Sequence, residues 1–381
     1  MPRREKIALA LLFLIATILL AAVNWDLYKN AWQAPLGPAL ALPSQTAQPL
    51  TPAAALTQAA GPTFAQMTRT AYIEKPALCG GPQTMSLLAI GSDTRAQGYL
   101  YGLADVIRYV RIDFVAPRVS VLEFPRDLWV EIPEIADHYG ISHGKLNQAY
   151  LYGNPGMGYY KGEGKGPGLL ARTLDLNFGA RPDHYIAANM HTFVDLVNVI
   201  GGIDITLPYS VDGRKADQDG RADLYFAPGP HHLNGEQALM LGRIRQFGTF
   251  ARADQQNRVL CALREKLFTP SVVPKLPEII NTFYGAVQTD LSPLQISQLA
   301  CLVPQLKSTD ITFTTFPRAL LTEDRTYDVG VNKDVYIFRA DFESLRLLVQ
   351  AFDIGAWPDS NPPPPSIETP SPRGEGSSKC P

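Results

Sequence analysis

The residues of this chain best suited to chemistry are arginines and aspartates scattered between Asp93 and Gln256. They are Asp93 and Arg95 in the run Gly91-Ser92-Asp93-Thr94-Arg95, then Asp105, then Arg126 in Pro125-Arg126-Asp127. Arg243 and Arg245 follow on either side of Ile244, and Arg252 stands shortly before Gln255 and Gln256. Most lie beside an apolar, strand-like run, which points to one polar site assembled at strand ends. Guanidinium groups grip phosphate oxygens bidentately, and carboxylates hold a divalent cation. A site with both is suited to pyrophosphate chemistry.

Each residue also has a plainer role. Asp93 sits in a tight turn, where an Asx-turn or a helix cap is ordinary. Asp105 interrupts the stretch Leu103-Ala104-Asp105-Val106-Ile107. A carboxylate there is costly unless it pairs with an arginine or binds a metal. Two carboxylates about 4 Å apart repel by roughly 4 kcal/mol at an effective dielectric near 20, a cost that a shared Mg²⁺ removes. Both readings of Asp105 stand. For Arg126 the alternative is a surface turn with a local ion pair. Arg243 and Arg245 point to one face if the segment is extended, which invites an anion, and a solvated edge is the alternative.

Two further stretches carry less. The glycine-rich run 153–168 lacks phosphate-loop order, because Gly164-Lys165 is followed by Gly166. It reads as a mobile loop. His231-His232 reads as a turn leading into a helix, with no further ligands at zinc spacing.

The elements that must position these groups alternate in type. Residues 86–90, 104–114, 119–124, 183–188 and 203–207 read as strands. Residues 169–176 and 191–200 read as helices, the second ending at Gly201-Gly202. Asn234-Gly235-Glu236 opens a helix through Leu241, and 254–267 forms a longer one. Strands alternating with helices argue for an α/β sandwich around a central sheet. Residues 273–352 continue with helix, strand and helix.

The 381 residues carry 34 Lys+Arg against 36 Asp+Glu, which argues against a nucleic-acid binder. A hydrophobic fraction of 46% allows a sizeable core. Near the N-terminus an apolar run, 7–23, is interrupted only by Thr17 and is about the minimum length of a membrane-spanning helix. Basic residues before it and Asp26 after it keep the N-terminus cytoplasmic. A cleaved signal peptide is the rival, with Ala21-Ala22-Val23 as a weak cleavage site. Both place the rest of the chain outside the cytoplasm.

The expected division is a cytoplasmic tail 1–6, a transmembrane anchor 7–24 and a linker 25–68. A main domain 69–268, an α/β extension 269–354 and a Pro-rich tail 355–381 follow. Residues 34–64, rich in Ala, Pro, Gln and Thr, read as a coreless spacer reaching about 30 Å. This keeps the folded part near the membrane. The tail, with Pro362-Pro363-Pro364-Pro365, reads as polyproline or disordered. Of the four cysteines, Cys261 and Cys301 could pair or could both be small buried apolar residues. Cys79 has no assigned role, and Cys380 falls in the unstructured tail.

Several segments together resemble the LytR–CpsA–Psr family of cell-envelope phosphotransferases. They include residues 87–95, 119–133 with Pro125-Arg126-Asp127, and Lys145-Leu146-Asn147-Gln148-Ala149-Tyr150. Asp195-Leu196-Val197 with Gly201-Gly202-Ile203-Asp204, Leu233-Asn234-Gly235-Glu236-Gln237-Ala238-Leu239 and 243–256 complete the set. The resemblance implies an α/β/α sandwich with a central mixed sheet. It also implies transfer of a glycan phosphate from a polyprenyl-pyrophosphate carrier to peptidoglycan or another wall polymer. Asp93 and Asp105 match the family's Mg²⁺ site. Arg95, Arg126, Arg243 and Arg245 match its pyrophosphate-binding arginines, with Arg252 and Gln256 at the back.

Three positions depart from the pattern. Leu103 and Gln255 replace arginines, and Thr249 replaces an acidic residue implicated in activating the acceptor hydroxyl. These bear on the transfer step more than on carrier binding. A lipid-carrier scaffold without transferase activity is therefore the second expectation. A membrane-bound transcriptional regulator is disfavoured by the very short cytoplasmic segment.

Overall fold

The central sheet starts from three runs rich in β-branched and apolar residues, a composition that suits a pleated, half-buried surface. In the computed structural model these become β1 (Thr84–Ser92), β2 (Ala104–Asp113) and β3 (Arg118–Glu123), paired antiparallel in sequence order. The structure describes residues 30–43, 75–94, 99–214, 224–244, 246, 249–283, 285–358 and 378–380. The anchor expected over 7–24 lies outside these residues. No helix among the described residues is long and apolar enough to cross a membrane.

After β3 come the short pair β4 (Trp129–Glu131) and β5 (His143–Lys145), with α1 (Ala136–Tyr139) between them. The helices α2 (Leu146–Gly153) and α3 (Lys165–Phe178) follow, and β6 (His184–Asn189) then runs parallel to β1. Helix α4 (Met190–Val199) starts where the Asn189 side chain accepts from the Thr192 amide. The ladder of β7 (Ile203–Leu207), the small pair β8 (Val211–Asp212) and β9 (Tyr225–Phe226), and β10 (Gly229–Leu233) lead to α5 (Gly235–Arg243). A capping box between Asn234 and Gln237 fixes the start of α5. Helix α6 (Thr249–Leu267) and α7 (Leu276–Phe283) complete this part.

The rest of the chain returns to the same sheet. β11 (Val287–Thr289) pairs with β6, and α8 (Pro293–Leu302) leads to β12 (Ile311–Thr315), parallel to β3. A hairpin of β13 (Leu321–Asp328) and β14 (Lys333–Ala340) precedes α9 (Phe342–Asp353). The short β15 (Ser378–Lys379) closes the edge beside β12. The sheet order is β11-β6-β1-β2-β3-β12-β15, a mixed sheet. Residues after 268 supply both flanks of the same sheet.

Strand alternation divides the core. Leu88, Ile90, Ile107, Tyr109, Leu122 and Phe124 face one layer with Leu146, Leu169, Leu174 and Val349 of α2, α3 and α9. Met85, Leu87, Val110, Ile112 and Val121 face the other, with Cys261 of α6 and Leu302 of α8. A third cluster joins α4, α5, α6 and β7 through residues such as Val197, Ile203, Leu241 and Val259. Helices on both faces of one mixed sheet make the α/β/α sandwich.

Four expectations need correction. First, residues 34–43 are not a coreless spacer. Leu40 is 3% exposed within the α2–α3 core layer, the Leu36 amide donates to the Leu291 carbonyl, and Arg172 donates to the Ala41 carbonyl. One apolar side chain in an Ala/Pro-rich run is enough to dock it where a groove already exists. Leu40→Ala is expected to lower unfolding stability by about 2–5 kcal/mol, read by urea denaturation. An unchanged midpoint would show that the segment does not dock. Residues 44–64 lie outside the description.

Second, the glycine-rich run ends in helix: α3 begins at Lys165, and Gly166, Pro167 and Gly168 are buried. Glycine serves close approach here, since a Cβ on Gly153 would stand 2.7 Å from the Gly166 Cα. Third, His231 and His232 lie in β10, not in a turn, and the His232 Nδ1 is 2.6 Å from the Asp204 Oδ1. Fourth, Cys261 does not pair with Cys301. The disulfides are Cys79–Cys301 and Cys261–Cys380. Cys380 is buried, because the end of the tail returns to add β15 to the sheet. Residues 359–377 of that tail lie outside the description.

Candidate functional site

The strand ends of β1, β2 and β3 bring the predicted charges together. Pairing of β1 with β2 runs Gly91↔Val106 and then Ser92↔Ala104, so Asp105 is an extra residue in the ladder. Such a bulge re-aims the side chain it carries. The Asp105 carboxylate forms a close ion pair with the Arg126 guanidinium, so the arginine-partner reading of Asp105 is realised. Arg126 also lies 3.4 Å from the Asp127 Oδ2, and the Lys145 ammonium is 2.8 Å from the Asp127 Oδ1. Burial pulls the Arg126 guanidinium down, but Asp105 and Asp127 outweigh it and hold its pKa above the ordinary arginine value.

Backbone bonds fix this turn independently of its side chains. The Asn147 amide donates to the Arg126 carbonyl at 3.1 Å, and the Phe338 amide donates to the Asp127 carbonyl at 2.9 Å. Asp93 lies one step from the bulge. Its Oδ1 accepts from the Leu103 amide at 2.6 Å, and its own amide donates to the Leu103 carbonyl at 3.0 Å. One oxygen of Asp93 therefore ties the β1–β2 end together.

Beside these charges a cavity of about 510 Å³ separates the sheet from α4, α5 and α6. Its floor is the other face of the same strands: Ala89 and Gly91 of β1, Val106 and Arg108 of β2, and Ile186 and Ala188 of β6. Its roof includes Met190 and Phe193 of α4, Ala238 and Gly242 of α5, and Val259 and Leu260 of α6. The space exists because both surfaces carry small residues. A Cβ on Gly91 would come within 3.0 Å of the Val106 Cβ. Ser92, Asn189, Asp105 and Arg243 edge the cavity where β1, β6 and α5 end and β2 begins, and Arg252 and Gln256 of α6 also line it.

Most predicted residues therefore converge. Asp105, Arg243, Arg252 and Gln256 line one cavity, and Arg126 joins through Asp105. Arg243 is exposed, whereas Arg252 is 4% exposed. Arg95 and Arg245 lie outside the described residues. So does the side chain of Thr249, the first residue of α6. Gln255, at one of the departing positions, is buried. With its amide nitrogen turned inward it donates to the carbonyls of Leu241 and Ile244, closing the C-terminal end of α5.

Two residues escaped the sequence reading. Lys145 carries no signal of its own beyond its motif, and its ion pair with Asp127 exists only in the fold. Arg108 is 3% exposed in the middle of the sheet face, with its Nη2 3.2 Å from the Glu123 Oε2. Burial draws its pKa down, and the Glu123 carboxylate opposes that shift. The signal was available: Arg108 and Glu123 interrupt two apolar strands that pair side by side, in direct register.

The oxygen donors suit Mg²⁺, which characteristically takes one or two carboxylates and leaves its other positions to phosphates and water. Of the two aspartates at this strand end, Asp93 holds the Leu103 amide with one oxygen and Asp105 holds Arg126. No cluster of three or more His, Cys, Asp or Glu side chains with metal-holding geometry occurs among the described residues.

Comparison with known proteins agrees with this architecture. The family model LytR_cpsA_psr matches residues 65–344. The chain is 31% identical over 210 residues to the polyisoprenyl-teichoic acid–peptidoglycan teichoic acid transferase TagV of Bacillus subtilis (strain 168), covering 54% of this chain and 49% of that protein. It thus spans about half the length of that relative. It is 27% identical over 252 residues to the regulatory protein MsrR of Staphylococcus aureus (strain COL), covering 66% of this chain and 68% of MsrR. The crystal structure of B. subtilis TagV superposes with a TM-score of 0.53 at 26% identity, covering 71% of this chain and 98% of that one. With the family model spanning most of its length and the sandwich in place, the chain belongs to the LytR_cpsA_psr family.

Proposed function

We propose that this protein transfers a glycan phosphate from a polyprenyl-diphosphate carrier to a cell-wall acceptor such as peptidoglycan, at the outer face of the cell membrane. The observation that carries this reading is the juxtaposition of an apolar cavity with a guanidinium-edged opening. A prenyl tail gains about 0.8 kcal/mol per buried methylene, so the cavity supplies affinity. The teichoic acid transferase name of the B. subtilis relative supports the same class of reaction. The apolar run 7–23 would anchor the chain, and two disulfides accord with an oxidising compartment outside the cytoplasm.

In this reading Arg126 and Arg243 take nonbridging oxygens of the diphosphate, and Arg252 and Gln256 close its rear. Asp93 and Asp105 would hold Mg²⁺, which offsets the charge of the diphosphate. The acceptor hydroxyl oxygen bonds to the glycan-side phosphorus, the bond from that phosphorus to the bridging oxygen breaks, and polyprenyl phosphate leaves with the bridging oxygen, taking up the hydroxyl proton. The protein contributes position and fixed charge more than covalent chemistry. Asp127 is a poor candidate for the base, since its carboxylate oxygens are already engaged by Arg126 and Lys145 in a buried turn.

The scaffold reading keeps one specific observation in its favour: Gln255 is buried and brings no charge to the site. The two readings separate in one assay. The full chain in detergent is given a polyprenyl-diphosphate glycan, an acceptor oligosaccharide and Mg²⁺. Release of polyprenyl phosphate with a new phosphodiester is the expected result, lost on chelation with EDTA. Carrier binding without release would leave the scaffold.

A further inference from the structure

Arg108 is a costly residue to keep. A buried guanidinium replaced by a well-packed apolar side chain is often neutral or stabilising. Its Nε and Nη1 have no hydrogen-bond partner among the described residues, and its face rests on the Phe313 ring at 5.6 Å. What it does make is a chain of contacts across the cavity. Glu123 of β3 holds its Nη2 at 3.2 Å, and the same nitrogen lies 3.5 Å from the Gln256 Oε1 of α6. The Gln256 Nε2 in turn donates to the Gly242 carbonyl at 3.0 Å, and Gly242 immediately precedes Arg243 in α5. Register places Arg108 beside Ala89, whose other neighbour is Ile186, so it stands in the innermost row of the cavity floor.

We infer that Arg108 is a positioning residue: with Glu123 it orients the Gln256 amide and, through Gly242, the end of α5 that carries Arg243. This strut joins sheet floor to helical roof and sets the spacing of the groups that meet the diphosphate, while the tail-binding surface lies beside it. It rests on the carrier reading above. Its consequence is selective: loosening the strut weakens recognition of the headgroup and spares the tail.

The test measures binding of geranylgeranyl diphosphate and of geranylgeraniol to the full chain in detergent. Wild type is expected to prefer the diphosphate. Arg108→Met is combined with Glu123→Gln so that no unpaired buried charge remains. This pair is expected to lower that preference on the order of tenfold, with affinity for the alcohol kept. Gln256→Ala should lose a similar amount, and the triple variant should lose no more than either, as coupled residues do. Arg108→Lys keeps the charge without the planar fork and should lose part of the preference at unchanged melting temperature. It carries the test if the double variant does not fold. An unchanged preference, equal losses for both ligands, or losses that multiply in the triple variant would each overturn the inference. Wild type binding neither ligand would instead bring down the carrier reading, and the inference with it.

Discussion

Arg126→Ala is expected to lose affinity for a polyprenyl diphosphate on the order of a hundredfold or more. A charge-assisted hydrogen bond contributes about 1.5–3 kcal/mol, and a bidentate pair roughly doubles that. The fold should survive, because the turn is held by backbone bonds from Asn147 and Phe338 that do not involve the side chain. Lys145 still neutralises Asp127 after the truncation, whereas Asp105 loses its partner and should raise the requirement for Mg²⁺. Arg126→Lys should also be impaired, since an ammonium cannot satisfy Asp105, Asp127 and a phosphate from one planar fork. Isothermal titration alongside a melting curve decides. Carrier affinity equal to wild type would place the diphosphate elsewhere.

The second large effect concerns stability. Replacing Cys261 and Cys380 together by Ala should cost about 2–4 kcal/mol. It removes a bridge across a sequence separation of 119 residues and frees β15 from β12. Because Cys261 directly follows Val259 and Leu260, which line the cavity roof, carrier binding should weaken as well. The Cys79–Cys301 bridge spans 222 residues and ties the segment before β1 to α8, so its double Ala variant should fall in the same range. Guanidinium unfolding with and without reductant reads both. A wild-type midpoint insensitive to reductant would mean that the bridges do not form.

The parts of this fold that were legible in the sequence are those whose stability is local or patterned. β1, β2 and β3 alternate or run apolar long enough to be read, and Asn234 with Gln237 announces α5 by its capping chemistry. β10, β11 and β15 were illegible because they are short and draw their stability from pairing with an existing edge. Gly-Pro-His-His has no strand propensity of its own, and the tail strand exists only beside β12. Disulfide connectivity does not follow from spacing. Here it depended on where α6, α8 and the returning tail pass one another.

The site divides along the same line. Arg126, Asp105 and Arg243 were readable because charges beside apolar strands stand out. The cavity was not, since it arises where Ala89, Gly91, Ala188, Ala238 and Gly242 from separate elements face one another. Arg108 required the β2–β3 register. Only that register turns two isolated interruptions into an ion pair under the cavity.

The most direct measurement is a crystal structure of the protein grown with a polyprenyl diphosphate and Mg²⁺. The tail should occupy the cavity between β1, β2, β6 and α4 to α6, with phosphate oxygens within hydrogen-bonding distance of Arg126 and Arg243 and the metal on Asp93 and Asp105. A tail bound on another surface, or phosphates out of reach of both arginines, would contradict it.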